Sequence, residues 1–164
     1  MPEQRILSLI ASSTEIVCAL GLEERLVGRS HECDYPPSVK RLPVCTQPKF
    51  QTEGASRAID QRVKAILQEA LSVYRVDADL LRRLQPSHII TQTQCEVCAV
   101  SLKDVEQAVS AVTDIKPTIV SLAPNALADV WVDIQRVADA LDVPHRGRQL
   151  IQELQTRMAQ VARK

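Results

Sequence analysis

The side chains of this protein best suited to hold a soft metal ion or to exchange electrons are its cysteines. Cys95 and Cys98 form a Cys-x-x-Cys pair, Cys33 follows closely on His31 in the run His31-Glu32-Cys33-Asp34-Tyr35-Pro36-Pro37, and Cys45 lies further along the same loop region. Zinc takes four thiolate or imidazole ligands, often with such a pair as one half of the set. Cys33, Cys45, Cys95 and Cys98 therefore make a candidate set for zinc or iron. A Cys-x-x-Cys placed after a strand also suits thiol–disulfide exchange, although the flanking residues here do not resemble a thioredoxin-like unit. The remaining reading is structural, and it fits Cys18, a small residue inside the first helix.

A second group is built of oxygen. Ser12-Ser13-Thr14 comes directly after the apolar run that ends at Ile10. Where a helix begins just after a strand, free backbone N–H groups and the positive end of the helix dipole favour a carboxylate, a phosphate or an amide oxygen. Ser12, with Glu15 three residues on, has the pattern of a capping box. Ser12 is thus expected to cap the helix, and Ser12, Ser13 and Thr14 are candidates to donate hydrogen bonds to a ligand. Glu32, Asp34 and Glu96 are carboxylates in comparable positions. No Gly-x-Ser-x-Gly, His-Glu-x-x-His or phosphate-loop pattern accompanies them, so the residues argue for binding and not for an enzyme. His88, inside an apolar run, reads as structural, and His145 as exposed.

These groups need elements to position them. Arg5–Ile10, Leu26–Ser30, Ser87–Gln92 and Pro117–Leu122 read as short strands. Helices are expected after Ser12, from Ile59, from Asp77 or Asp79 to Pro86, from Ser101, over Leu127–Leu141 and over about Arg146–Ala162. The stretch from Lys40 to Phe50 reads as irregular chain. Strands alternating with helices predict a three-layer α/β lobe with a mainly parallel sheet of about four strands. Ligands of such sheets bind beyond the carboxyl ends of the strands. The four strand ends lead into Ser-Ser-Thr-Glu, His-Glu-Cys-Asp-Tyr-Pro-Pro, Thr-Gln-Cys-Glu-Val-Cys and Ala-Pro-Asn. Ser12, Ser13, Thr14, His31, Glu32, Cys33, Tyr35, Gln94, Cys95, Glu96, Cys98 and Asn125 therefore gather at one edge as candidate ligand contacts.

Composition narrows the partner. The chain has 164 residues, 45% of them hydrophobic, with twenty basic residues balanced by twenty acidic ones. That is ordinary for one globular domain, and it lacks the basic excess on which nucleic-acid binding rests. Phe50, Tyr35, Tyr74 and Trp131 are the only aromatics, so a ring-stacking site has few residues to draw on. No stretch approaches the ~20 apolar residues of a membrane span. The first apolar run is too short for a signal-peptide core, which predicts a cytoplasmic chain, or a periplasmic one if a leader has been removed.

Taken in order, RILSLIASSTEIVCALGL, VGRSHECDYPP, LLRRLQPSHIITQTQ and IVSLAPNALADVW resemble the N-terminal lobe of the helical-backbone (class III) substrate-binding proteins of ABC importers, in particular cobalamin- and ferric-siderophore-binding ones. The resemblance implies a Rossmann-like binding lobe over residues 1–143, an inter-lobe backbone helix over 144–164 and a ligand held against a second lobe that is absent here. It also implies a metal-containing or chelated ligand such as cobalamin, an ABC permease as partner, and Asp79, with Asp77 as alternative, as the acidic docking residue. The long helix is expected to lay its stripe of Leu150, Ile151, Leu154, Met158 and Val161 on the lobe. The competing reading is a cytosolic metal or redox protein that uses Cys33, Cys45, Cys95 and Cys98 directly.

Overall fold

The computed structural model describes residues 4–49, 53–68, 74–93, 101–112 and 116–163. Four short strands form one parallel sheet: β1 (Ile6–Ser8), β2 (Leu26–Arg29), a fifth strand in chain order, β5 (His88–Gln92), and β6 (Thr118–Leu122), in the order β2-β1-β5-β6. Between β2 and β5 the chain inserts β3 (Thr46–Pro48) and β4 (Tyr74–Val76), an antiparallel pair with Thr46 opposite Val76 and Pro48 opposite Tyr74. The helices are α1 (Ala11–Ala19), α2 (Ser56–Gln68), α3 (Ala78–Leu84), α4 (Leu102–Ser110), α5 (Leu127–Ala140) and α6 (Pro144–Ala162). The three-layer α/β reading holds.

Side chains alternate across a strand, and the sheet uses that alternation to feed two cores. Ile6 and Ile90 pack with Val17 and Leu20 of α1 and with Val137 and Leu141 of α5 and its end. Their neighbours Leu7 and Ile89 pack with Leu81 of α3 and Val105 of α4 on the other face. Each fully buried aliphatic side chain contributes about 1.5–3 kcal/mol, so both faces are strongly held. Asp77 caps α3 by accepting from the Leu80 N–H, and Ser101 caps α4 by accepting from the Asp104 N–H. Both helix starts agree with the sequence.

Three expectations need correction. The Lys40–Phe50 stretch is partly ordered, as a 3-10 turn over Pro37–Arg41 followed by β3. Its partner strand is supplied by distant chain, so no local signal announces it. Ser12 does not cap α1: the cap position is the extended Ile10, and among the described residues no side chain caps the helix from there. Finally, α6 packs only through its first half. Gly147 is buried against Ala138, where an added Cβ would stand 2.6 Å from that residue's Cβ, and Leu150, Ile151 and Leu154 are half-buried. Met158 and Val161 instead project, 46% and 71% exposed. Among the described residues, no helix is long and apolar enough to cross a membrane.

Candidate functional site

The strand order sets the site. From β1 the chain crosses through α1, which packs on one face of the sheet, whereas the helix after β5, α4, packs on the other. Adjacent central strands whose crossovers diverge leave a crevice at their carboxyl ends. Here that switch point lies between β1 and β5, which pair from Ile6 opposite His88 to Ser8 opposite Ile90. The amino end of α1 borders it on one side. Thr91 and Gln92, buried, and then Thr93 border it on the other. Gln94, Cys95, Glu96 and Cys98 follow Thr93 in the sequence and lie outside the described residues.

At the α1 side the hydroxyls behave differently from expectation. Ser13 and Thr14 are fully buried. The Ser13 hydroxyl lies 2.6 Å from that of Ser8 and donates to the Ile10 carbonyl at 3.0 Å. Thr14 Oγ1 lies 2.7 Å from Ser8 Oγ and 3.0 Å from Cys33 Sγ. Burial of a hydroxyl is costly unless it is bonded, and this chain of contacts satisfies each group while tying α1 to β1 and to the loop after β2. Ser12, by contrast, is exposed. With no side-chain cap on α1 among the described residues, the first N–H groups of the helix, which have no intrahelical partner, remain open at the crevice.

Beyond β2, Arg29 braces the loop. Its Nη1 donates to the carbonyls of Ser30 at 3.0 Å and Cys33 at 2.9 Å. His31 is pinned to the β3–β4 pair: Nδ1 lies 2.7 Å from Thr46 Oγ1, and its ring lies 4.9 Å from that of Tyr74, centroid to centroid. The other nitrogen, Nε2, sits 3.2 Å from Glu32 Oε1 but is shielded from solvent without a well-directed hydrogen bond. Burial lowers the His31 pKa, with Glu32 opposing and Arg29 adding to the shift, so the ring is neutral near pH 7. Glu32 and Tyr35 are exposed. Asn125 is exposed beyond β6, where its N–H and that of Ala126 donate to the Asp129 carboxylate.

Of the candidate metal set, Cys33 and Cys45 lie among the described residues, and Cys95 and Cys98 lie outside them. Cys33 is buried and its thiol pKa is raised, chiefly by burial. Cys45 belongs to the core beneath α3, where its thiol occupies the space left by Gly28, 2.7 Å from where a Cβ would be, and burial pushes it up to about 12. Among the described residues, no group of three or more His, Cys, Asp or Glu side chains is arranged to hold a metal ion. Asp77 is consumed as a helix cap, whereas Asp79 is exposed and pairs with Arg82 at 3.1 Å.

One feature was not anticipated from the sequence. A cleft of about 580 Å³ opens between α1, α5 and α6, with Ser12 and Tyr35 on its rim, Ile16, Ile134 and Leu154 among its walls, and Glu15 and Arg157 at its sides. The apolar stripes of α5 and α6 were its signal, but they read equally well as core. Cys18 also lines it, its pKa raised to about 11 by burial and then by Glu23 and Glu15.

No family model matches the chain, and no curated protein does. Solved structures do. The chain is similar to the periplasmic heme-binding protein RhuT from Roseiflexus sp. RS-1 in apo form, at 26% identity and a TM-score of 0.64 over 96% of this chain and 48% of that one. It is similar to a periplasmic heme-binding protein from Pseudomonas aeruginosa, at 22% identity and a TM-score of 0.66 over 97% and 46%. It is also similar to the periplasmic vitamin B12-binding protein BtuF of Vibrio cholerae, at 19% identity and a TM-score of 0.64 over 97% and 49%. The chain spans about half the length of these proteins.

Proposed function

We propose that this chain, which has the fold of the N-terminal lobe of class III substrate-binding proteins, is a binding lobe for a metal-containing macrocycle or chelate of the heme and corrinoid kind, and works in ABC-type import without catalysing a reaction. The observation that carries the reading is the switch point between β1 and β5. There the amino end of α1, which has no side-chain cap among the described residues, borders the same crevice as the carboxyl end of β5. Ser12, Glu32, Tyr35 and Asn125, all in chain that follows the carboxyl ends of β1, β2 and β6, are exposed, while His31 is held in place by Thr46 and Tyr74. In this reading Gln94, Cys95, Glu96 and Cys98 complete the contacts. Ser13, Thr14 and Cys33 support the crevice from beneath. The similar proteins bind heme or vitamin B12, which favours that ligand class over a bare zinc ion. A permease is the proposed partner, with Asp79 as the docking residue, and the proposed compartment is the periplasm.

The test is a titration of hemin, and separately of aquacobalamin, into the protein, followed by absorbance. Saturable binding of one of them is expected. Tyr35→Ala and the pair Cys95→Ser/Cys98→Ser should each weaken it at least about tenfold, which corresponds to about 1.4 kcal/mol. Stoichiometric zinc in protein purified without chelators, together with no uptake of either compound, would overturn the reading in favour of a direct thiolate site.

A further inference from the structure

We infer that the carboxyl edge of the sheet selects its ligand by charge. It takes a chelate whose periphery carries carboxamides and turns away one whose periphery carries carboxylates. The inference rests on the proposed function and narrows it, from hemes and corrinoids to the corrinoid kind. The chain leaving the carboxyl ends of β1, β2, β5 and β6 runs through residues 9–15, 30–37, 93–101 and 123–129. None of the protein's twenty basic residues falls in these segments, whereas Glu15, Glu32, Asp34, Glu96 and Asp129 do.

A contact between elements places two of these carboxylates beside the amino end of α1. Thr14, in the first turn of that helix, lies 3.0 Å from Cys33, Oγ1 to Sγ. Cys33 is flanked in the chain by Glu32 and Asp34, both exposed. Arg29, the cation nearest to them in the chain, offers a ligand no donor. Its Nη1 is engaged by the carbonyls of Ser30 and Cys33, its Nη2 lies 3.4 Å from that of Lys40, and its Nε is shielded from solvent. His31, neutral near pH 7, adds no positive charge. A carboxamide has an accepting oxygen and N–H donors, whereas a carboxylate only accepts. The open N–H groups of α1 can take either kind of oxygen, but Glu32 and Asp34 are satisfied only by a donor or a cation. Heme carries propionates, ionised at pH 7 as a glutamate side chain is, and at this edge they meet charges of their own sign. Discrimination then comes from the mismatch imposed on the wrong periphery.

Matched pairs of compounds separate charge from ring. One pair is hemin and its bis-amide, in which both propionates are primary amides. The other is aquacobalamin and the acid obtained by hydrolysing its propionamides to carboxylates. In each pair that the protein binds, absorbance titration at low salt should find the amide at least about tenfold tighter than the carboxylate. The gap should close as salt screens the charges. Glu32→Gln/Asp34→Asn should narrow it, and Glu32→Lys/Asp34→Lys should reverse it, with circular dichroism showing both variants folded. A carboxylate compound bound as tightly as its amide would overturn the inference and leave the binding-lobe reading in place, and so would a gap indifferent to salt and to both double variants. If none of the four compounds bound, the proposed function would itself fail and charge selection would fall with it.

Discussion

At the end of β1 the hydroxyls of Ser8, Ser13 and Thr14 and the thiol of Cys33 turn inward and bond to one another, whereas along α6 the apolar side chains of Met158 and Val161 turn out to solvent. The polar residues stand where a ligand site was expected, and the apolar ones where a core stripe was expected. Each region inverts the simple rule, for different reasons. A helix that starts two residues after a strand brings its first side chains back against that strand, so Ser13 and Thr14 are buried whatever their chemistry and must find partners. A long helix outruns the shorter helix α5 on which it packs, so its last turns are exposed among the described residues. Residue type alone reports neither effect.

The contrast is open to direct attack. Leu9, 1% exposed at the turn between β1 and α1, should cost about 2–5 kcal/mol when replaced by Ala. Met158→Ala should change monomer stability by no more than about 0.5 kcal/mol. Urea melts read both values, and a comparable loss at the two positions would abolish the distinction between a closed end and an open face.

A finer division runs through the serine and threonine cluster itself. Thr14→Val keeps the shape but leaves Ser8 and Cys33 short of a partner, and should cost about 1–3 kcal/mol. Ser12→Ala should leave stability within about 0.5 kcal/mol while weakening ligand uptake. If thermal melts and ligand titrations showed the reverse, with Thr14 important for binding and Ser12 for stability, the assignment of inner and outer hydroxyls would be wrong.

The smallest expected effect concerns pH. His31 and His88 both have pKa values lowered from 6.5, in each case mainly by burial. Their neutral forms are favoured by the folded state, and the unfolded chain takes up protons first as pH falls. The stability linked to these rings is therefore intact above about pH 6.5 and declines as pH drops through the folded-state values. Denaturant melts between pH 7.5 and 5 should show this decline, and His31→Gln, which keeps an acceptor near Thr46, should flatten part of it. A slope unchanged by the substitution would mean that His31 is not one of the groups responsible.

How far the sequence reached can be judged residue by residue. The alternation of Ile6 with Leu7 and of Ile89 with Ile90 between two cores follows from a strand covered on both faces, and short apolar runs separated by helical periodicity announce that arrangement. Asp77 and Ser101 were readable as helix caps because capping is a contact between residues three apart. The collection of unusual residues at the carboxyl edge was readable for the same kind of reason, since chain direction in a parallel sheet fixes which loops share an edge. By itself, then, the sequence determined the fold class, most of the elements and which loops share the carboxyl edge of the sheet.

Tertiary structure decided the rest. Thr46 and Val76 pair across a long insertion, and neither segment alone carries enough signal to be a strand. Cys45 is buried in the core against Gly28, where a Cβ would leave its thiol no room, a contact its residue type does not announce. Ser12 and Ser13 are neighbours in the chain, but the rotation of a single residue around the helix exposes the first and buries the second. In each case the deciding contact lies between residues far apart in sequence, or depends on the direction a helix takes over a sheet, and those are set by packing once the chain has collapsed.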